Sequence, residues 1–333
     1  MNFQHNQSAH CETGVMSSIL THSGLAISEP MTFGLSNAMA FAYIPIIKLA
    51  GQPLIAYRLP PKAIIKGLSK RLGVDIRFQK FSSPFAGADA LSEKVKEGVL
   101  VGLQTSVFWL PYFPEEMRFH FNAHNMLVYG QENDEYLISD PVFEEPVRVK
   151  EKGLTKARFA KGPLAPKGLM YWAESVPSEI DYATVIPEAI KKNIRIMTGA
   201  PLPVIGIRGI RFLANKIRQL THKKNARDQR LYLGHIVRMQ EEIGTGGAGF
   251  RFMYASFLEE SGKLLSDNTL VSISEAMTEV GDMWRGFALL IAQSCKRKDD
   301  IDTTKIASAL EACADKEHEV WMDLKQWHKT RGN

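Results

Sequence analysis

The chain has 333 residues, of which 45% are hydrophobic, and this is enough for two domains of ordinary size, each with its own core. Residues 1–7 are polar and lack a secretory signal pattern, so we expect the mature chain to begin here. The longest apolar run, 286–292, is far shorter than the roughly 20 residues that span a bilayer. The three cysteines, Cys11, Cys295 and Cys313, are too scattered to form a disulfide framework, which is typical of a protein in the reducing cytoplasm. The net charge of +5 is small for this length.

Apolar spacing in the first half of the chain predicts helices and short strands in mixed order. A helix begins at Cys11 and ends before Ser23-Gly24, which places Cys11 at or near a helix N-terminus. The other predicted elements are a helix begun by the cap-like sequence 28–30, a strand at 54–57, a helix at 61–72, a strand at 74–78, a helix around 91–96, a strand at 99–104, and a hairpin of 126–129 with 136–139. A helix followed by a largely antiparallel sheet predicts an α+β first domain over residues 1–175.

The second half of the chain has a different pattern. Residues 142–179 contain four prolines and predict a partly irregular connector. Long helical patterns follow, among them 270–292 and 304–327, and they predict an all-helical second domain, residues 176–333, that covers the cleft of the first. The glycine run 244–249 matches the sequence pattern of a dinucleotide-binding fingerprint, but it follows a helical pattern and not a strand. We therefore interpret it as a tight interhelical turn and predict no cofactor.

Three polar residues of the first domain form a candidate catalytic group: Cys11, His124 and Asp140. Unpaired N–H groups and the helix dipole stabilise a thiolate at a helix N-terminus, where Cys11 is predicted to lie. If Val128 pairs with Tyr136 in the hairpin, His124 lies opposite Asp140 and the two side chains are neighbours. Cysteine, histidine and then asparagine or aspartate is the chain order of papain-like proteins, so we predict Cys11 as nucleophile, His124 as its base and Asp140 as the residue that orients the base.

Each member of this group has an ordinary structural interpretation when it is taken singly. A cysteine near a helix start is often just a small buried residue, and Asp140-Pro141 is a common way to open a turn. The chain order and the hairpin together favour the catalytic interpretation. Cys295 and Cys313 lie beside or on apolar helical stripes and are predicted to be structural thiols.

Acyl chemistry at Cys11 would also require an oxyanion hole. The backbone N–H of Cys11 is one natural donor, and the side-chain amide of Gln7 or Gln4 could supply another. His10 precedes the cysteine directly and is predicted to give support at most.

A metal site is the alternative interpretation of the histidines. His120 and His124 are four residues apart, as zinc ligands on a helix can be, but the glutamate of the metalloprotease pattern is missing and the segment precedes a strand. We therefore predict no metal site here.

Several motifs resemble those of one known family. They are His-Cys-Glu-Thr at 10–13, Ser-Glu-Pro-Met-Thr-Phe-Gly-Leu at 28–35, His-Asn-Met-Leu-Val-Tyr-Gly at 124–130, Ser-Asp-Pro at 139–141, and the run Gly-Thr-Gly-Gly-Ala-Gly-Phe-Arg-Phe-Met-Tyr at 244–254. Together they resemble the butirosin-biosynthesis acyltransferase (BtrH) family, over most of the chain. The resemblance implies a papain-like N-terminal domain with a helical companion domain.

The resemblance also implies an activity. The family is related to papain-like peptidases, and it is implied to move an acyl group from an acyl carrier protein thioester, through a cysteine thioester, to an amine. Carried over, Cys11 holds the acyl group, His124 is the base and Asp140 orients it. Within the matching motifs, Glu29, Arg251 and Tyr254 are candidate contacts with substrate or carrier protein.

One strongly basic segment indicates a partner. Between Arg208 and Arg230 the sequence has eight basic residues against one acid, together with apolar residues at helical spacing. A basic amphipathic helix suits an acidic carrier protein, and it would equally suit an anionic membrane surface or be a solvated helix face. Nucleic acid is not predicted as a partner, because no matching motif accompanies the charge.

The leading functional prediction is therefore a cytoplasmic, carrier-dependent acyltransferase of specialised or lipid metabolism that acts on a small-molecule amine. A cysteine peptidase or amidase is the first alternative, since it would use the same triad with water as the acceptor. A binding module without catalysis is the second. The presence of thiol, imidazole and carboxylate in the expected order argues against it.

Overall fold

A computed structural model describes residues 3–49, 51–220, 225–243, 246–297 and 300–331. The chain forms two compact units, which are not consecutive along the sequence. Unit 1 comprises residues 1–32 and 64–180, and unit 2 comprises residues 33–63 and 181–333. The sequence favours a single division at residue 175, whereas the structure also assigns the early segment 33–63 to the helical unit.

Unit 1 contains helices on a six-stranded sheet. Its helices are α1 (Cys11–His22), the start of α2 (Glu29–Leu35), most of α3 (Ala63–Leu72), α4 (Pro84–Lys96) and α5 (Glu151–Arg158). Its strands are β3 (Asp75–Gln79), β4 (Val101–Thr105), β5 (His124–Glu132), β6 (Glu135–Ser139), β7 (Val147–Lys150) and β8 (Met170–Ser175). They pair in the order β3-β8-β4-β5-β6-β7, and every pairing is antiparallel. The predicted α+β class is confirmed.

Alternation along the central strands separates two faces of this sheet. Met126 and Val128 of β5 join a hydrophobic core with Leu91 of α4 and Leu154 of α5. Helix α1 packs against β5, β4 and β8. Because neighbouring residues of a strand point to opposite faces, β5 presents different side chains to this core and to α1.

The sequence-based description of the hairpin and the connector needs two corrections. Strands β5 and β6 form the predicted hairpin, but Val128 pairs with Ile138, two residues from the expected Tyr136. The region 142–179, predicted as partly irregular, contains β7, α5 and β8, and β8 lies inside the sheet between β3 and β4. Residues 170–175 form a strand because they pair with strands that are distant in the sequence. Local apolar spacing does not predict such long-range pairing.

Unit 2 consists of helices and one hairpin. Its helices are the end of α2, α6 (Tyr182–Gly199), α7 (Gly206–Arg218), α8 (Ala226–Glu241), α9 (Arg251–Leu265), α10 (Asn268–Lys296) and α11 (Thr303–Arg331), and its hairpin pairs β1 (Met39–Leu49) with β2 (Gln52–Arg58). Within the described part of residues 176–333 every named element is helical, as predicted, and one isolated β-bridge pairs Ile205 with Ala42. None of the helices in the described ranges combines the length and apolar character needed to cross a bilayer.

The glycine-rich turn between α8 and α9 has a left-handed backbone. Gly246, Gly247 and Gly249 have φ of +62°, +85° and +54°, a region that glycine adopts at little cost. A Cβ on Gly249 would lie 2.3 Å from the Tyr57 ring, so a larger residue does not fit there. The interpretation as an interhelical turn is confirmed for residues 246–249, while Gly244 and Thr245 lie outside the described residues.

Candidate active site

Cys11 is the first residue of α1, as the sequence predicts. His10 is the N-cap in extended conformation, and its Nδ1 accepts a hydrogen bond of 3.3 Å from the backbone N–H of Thr13. Cys11 is 8% exposed, so its thiol is largely shielded but not sealed from solvent. The first turn of a helix has N–H groups without intrahelical acceptors, and these favour negative charge on the sulfur.

Glu29, a predicted substrate contact, instead holds the segment that leads into α1. Its carboxylate accepts hydrogen bonds from the backbone N–H groups of Ala9 at 2.9 Å and His10 at 2.8 Å, and from Thr13 Oγ1 at 2.7 Å. Burial raises the pKa of Glu29, and these three donors oppose the rise. The carboxylate therefore fixes the backbone on which Cys11 begins its helix.

His124 and Asp140 form a buried pair. His124 Nε2 donates to Asp140 Oδ2 over 2.7 Å, and the same oxygen accepts a 2.6 Å hydrogen bond from Tyr112 OH. Asp140 Oδ1 accepts from the backbone N–H of Val142 at 3.1 Å. Phe113 packs edge-on against the imidazole, with ring centroids 5.5 Å apart. Carboxylate and imidazole are therefore each held in one orientation by neighbours outside the predicted triad.

The charge of His124 follows from this environment. Burial disfavours the imidazolium, but the Asp140 carboxylate and the hydrogen-bonded Cys11 side chain outweigh burial and raise the pKa of His124 from 6.5 to about 10. A protonated imidazole next to the sulfur stabilises a thiolate, the reactive form of cysteine. The imidazole of His124 therefore lies between the Asp140 carboxylate and the Cys11 side chain, where it can hold a proton beside the sulfur.

Asn125 is a further residue at the sulfur, and sequence reasoning missed it. Its Nδ2 lies 3.9 Å from Cys11 Sγ, and its Oδ1 accepts a 3.0 Å hydrogen bond from Tyr171 OH. Strand alternation places Asn125 on the face opposite to its neighbour His124, so spacing gave no reason to group them. His124 and Asn125 both contact Cys11 because β5 begins at His124, and this end of the strand meets the N-terminus of α1.

Two residues predicted near the oxyanion have other roles in the structure. The Gln7 amide is exposed and donates to the carbonyl of Val142 at 3.3 Å, and no contact with Cys11 is found for it in the described structure. His10 is buried and caps α1. The structure therefore does not support Gln7 as the oxyanion donor, because its side-chain amide is hydrogen-bonded to the carbonyl of Val142.

The two histidines considered as metal ligands, His120 and His124, have different partners. His120 stacks on Phe108 with ring centroids 4.1 Å apart, whereas His124 is bound to Asp140. Among the residues that the structure describes, no group of three or more histidines, cysteines or acids has an arrangement that could hold a metal ion.

Arg251 and Tyr254, also predicted as binding residues, lie in the interior of unit 2. Both have no exposed surface. The Arg251 guanidinium bonds both carboxylate oxygens of Glu317, at 3.0 Å from Nη2, and lies 4.5 Å from the Trp284 ring centroid. A buried charge needs its partner within the same interior, and Arg251 has one in Glu317. Neither side chain therefore has exposed surface with which to contact a ligand in this structure.

The basic segment forms two helices, α7 and α8, and its charge is partly neutralised by α11. Arg211 Nη2 lies 2.8 Å from Asp315 Oδ1, and Arg218 is paired with both oxygens of Glu311. Arg208 and Arg227 are exposed. Lys223 and Lys224 lie outside the described residues. The local excess of positive charge is therefore smaller in the folded unit than in the sequence.

The site combines a thiol at a helix N-terminus with an imidazole and an orienting carboxylate, in the chain order cysteine, histidine, aspartate that papain-like cysteine enzymes use. Residues 152–324, more than half of the chain, match the family model described as a domain of unknown function, DUF4872, and the chain belongs to that family. Residues 10–141 match the model for the N-terminal part of butirosin biosynthesis protein H, which confirms the resemblance predicted from the motifs.

Other comparisons add little. A comparison with curated proteins finds no match. Among solved structures, the chain is similar to a crystal structure described as a C39-like peptidase from Bacillus anthracis, with 14% sequence identity and a TM-score of 0.36 over 53% of this chain and 96% of that chain.

Proposed function

We propose that this protein is an acyltransferase that takes an acyl group from an acyl carrier protein thioester onto Cys11 and passes it to an amine. The observation that carries the proposal is the buried contact of His124 with both Asp140 and Cys11, in a chain whose N-terminal part matches the butirosin biosynthesis model. The contact provides a nucleophile and a proton carrier, and the match to a biosynthesis protein supports a role in a biosynthetic reaction.

The reaction has two exchanges at one carbon. The Cys11 thiolate attacks the thioester carbonyl, a carbon–sulfur bond to Cys11 forms, the carbon–sulfur bond to the carrier breaks, and the imidazolium of His124 gives its proton to the departing thiolate. In the second exchange the amine attacks the acyl-cysteine, and its surplus proton passes to His124 as the Cys11 thiolate leaves. No oxidant, metal or cofactor is required for the balance.

The test is intact mass after the protein is mixed with acyl-loaded carrier protein. Wild type gains one acyl mass, and Cys11→Ala and His124→Ala do not. Cys313→Ala is the matched thiol control, because burial raises the pKa of this cysteine to about 12 and it is 1% exposed. His120→Ala is the matched imidazole control and keeps the adduct, since His120 stacks on Phe108 without touching Asp140.

Two results would reject the proposal. An adduct that persists in Cys11→Ala would place the acyl group elsewhere. The absence of any adduct with several acyl chains, together with Cys11-dependent cleavage of an amide, would favour the hydrolase that uses the same triad with water as acceptor.

Carrier docking at the basic helices is a second part of the proposal. The exposed Arg208 and Arg227 support it. Arg211 and Arg218 could exchange their partners on α11 for an acidic carrier at little cost, because ion pairs near the surface contribute little to stability. Arg208→Glu with Arg227→Glu is expected to raise KM for the carrier thioester, most strongly at low salt. The KM for a small-molecule thioester should stay unchanged, and an equal rise in both would argue against docking there.

A further inference from the structure

The side chain of Asn125 is fixed in one orientation beneath the nucleophile. Its Nδ2 donates to the carbonyl oxygen of Ala123 at 3.2 Å, and Oδ1 accepts from Tyr171 OH at 3.0 Å. A carbonyl oxygen can only accept, so the nitrogen of the amide must face Ala123 and the oxygen must face Tyr171. The second N–H of Nδ2 is then directed to Cys11 Sγ, 3.9 Å away.

Tyr171 holds this orientation. It is fully buried, and burial raises the pKa of its hydroxyl well above 10, with the neighbouring Glu12 and Cys11 adding to the rise, so the hydroxyl stays a donor. The ring lies across Gly102 of β4, where a Cβ would be 2.3 Å from ring atom Cε2. Glycine at 102 therefore permits Tyr171 to cross the strand and reach Asn125.

An N–H beside a nucleophilic sulfur lies near the atom that becomes charged during attack. The carbonyl oxygen of an attacked thioester or ester is bonded to the carbon that joins the sulfur, so a donor next to Sγ can bind this oxygen when the oxygen takes up the amide's side of the sulfur. Effective oxyanion donors lie about 2.7–3.1 Å from the position that this oxygen takes up. Gln7, the sequence-based candidate, is bound to Val142.

We propose that Asn125 Nδ2, together with the backbone N–H of Cys11, forms the oxyanion hole, and that Tyr171 is the positioning residue for this amide. When the Cys11 thiolate attacks, the new carbon–sulfur bond forms and the carbonyl π electrons move to oxygen, where the two N–H groups bind the charge. Collapse of the adduct returns those electrons to the carbon–oxygen bond and expels the leaving group. The inference rests on Cys11 as the nucleophile of the proposed function, but not on a carrier protein as the donor.

Two small reagents separate oxyanion binding from reactivity of the thiol. p-Nitrophenyl acetate acetylates a cysteine through a tetrahedral oxyanion, whereas iodoacetamide alkylates it by displacement at a saturated carbon without one. Asn125→Ala is expected to slow acetylation of Cys11 by about 10²-fold, the typical loss for one donor, and to slow alkylation several-fold at most. Gln7→Ala, the matched amide control, should change neither rate.

The outcomes divide clearly. The inference would be overturned if Asn125→Ala slowed acetylation and alkylation equally, or slowed neither. A selective loss of acetylation in Gln7→Ala in place of Asn125→Ala would also overturn it, as would a wild type that is alkylated at Cys11 but never acetylated. Alkylation also reports the fold, because a variant with a collapsed site would lose its Cys11 selectivity over Cys295 and Cys313.

Tyr171 has its own test. If it acts through Asn125, Tyr171→Phe slows acetylation in the wild-type background and has no further effect in Asn125→Ala, so the two changes are non-additive. Additive losses would mean a general structural role and would overturn its assignment as positioning residue. Acetylation by the ester with no adduct from any carrier thioester would reject the proposed function and leave the oxyanion hole standing.

Discussion

His124 Nε2 donates to Asp140 Oδ2 across 2.7 Å, although the two residues are diagonal neighbours and not opposite each other on the β5–β6 ladder. Continued by one residue beyond the Leu127–Ser139 pair, the observed register would place Asp140 opposite Met126, which shares a strand face with His124. Diagonal pairs on one face are within reach of long side chains. The imidazole therefore meets the carboxylate at the end of the ladder, beside the N-terminus of α1.

The first prediction concerns the pH dependence of stability. The pKa of His124 is raised from 6.5 to about 10 in the folded protein, so the stabilisation from its charged pair with Asp140 is complete below about pH 6.5 and is lost as the pH rises through about 10. Asp140→Asn removes this contribution and should cost about 3 kcal/mol near pH 6, the scale of breaking a buried pair. The difference should shrink towards pH 10. Urea unfolding at several pH values measures it, and parallel curves for the two proteins would contradict the assignment.

Glu29 gives a second prediction. Glu29→Gln removes the charge and one acceptor oxygen from a site with three donors, Ala9 N–H, His10 N–H and Thr13 Oγ1. We expect a loss of about 1–3 kcal/mol in the free energy of unfolding and a lower kcat, because the start of α1 shifts. KM for the amine should hardly change. A rise in KM at unchanged stability would favour the substrate contact that the sequence predicted.

The sequence predicted that His124 and Asp140 are neighbours, and they are, although the predicted register of the hairpin differs from the observed one. The hairpin turns at Asn133, whose φ is +54°, and Glu132 pairs with Glu135, so the strands are longer than their apolar runs. The expected pairing of Val128 differs from the observed one by two residues. Since side chains alternate with a period of two, this error keeps His124 and Asp140 on their predicted face. The register shift between Val128 and Gly130 changes the offset only on the turn side of Val128.

Other parts of the site could not be read from the sequence. Asn125 lies on the face that alternation assigns away from His124, and Tyr171 comes from β8, in a region predicted as connector. Arg251 meets Glu317, 66 residues away, in the interior of unit 2. Such contacts depend on packing between distant segments. Periodicity in a single sequence predicts which face of a helix or strand is buried, but not which other element packs against that face.

Gly102 provides a third prediction. Gly102→Ala would place a Cβ 2.3 Å from Cε2 of the Tyr171 ring, which is enclosed and has to move. We expect a loss of about 1–3 kcal/mol and slower acetylation of Cys11, because the ring carries the hydroxyl that holds Asn125. Gly130→Ala in the same sheet is the matched control. There the nearest atom is the end of the Leu137 side chain, at 3.0 Å, which can rotate away. A larger loss for Gly130→Ala would contradict this packing argument.

The last prediction concerns the buried ion pair of unit 2. Glu317 accepts from Arg251 and from the indole N–H groups of Trp284, at 2.9 Å, and Trp321, at 3.3 Å. Arg251→Met leaves a buried carboxylate with indole donors alone. Glu317→Leu leaves a buried guanidinium that keeps the carbonyl of Gly249 as acceptor and the Trp284 ring as neighbour. Each single change should lower the free energy of unfolding by about 3–5 kcal/mol.

The double variant Arg251→Met with Glu317→Leu decides between structure and binding at this site. It removes both charges at once, so we expect it to recover much of the loss of either single variant, since no unpaired charge remains. Denaturant unfolding followed by the fluorescence of the chain's five tryptophans, two of which contact Glu317, measures the recovery. Acylation of Cys11 by a small thioester should be unchanged in the double variant, because Arg251 has no exposed surface with which to bind a ligand. A double variant that is fully stable but no longer acylated would restore Arg251 as a functional residue.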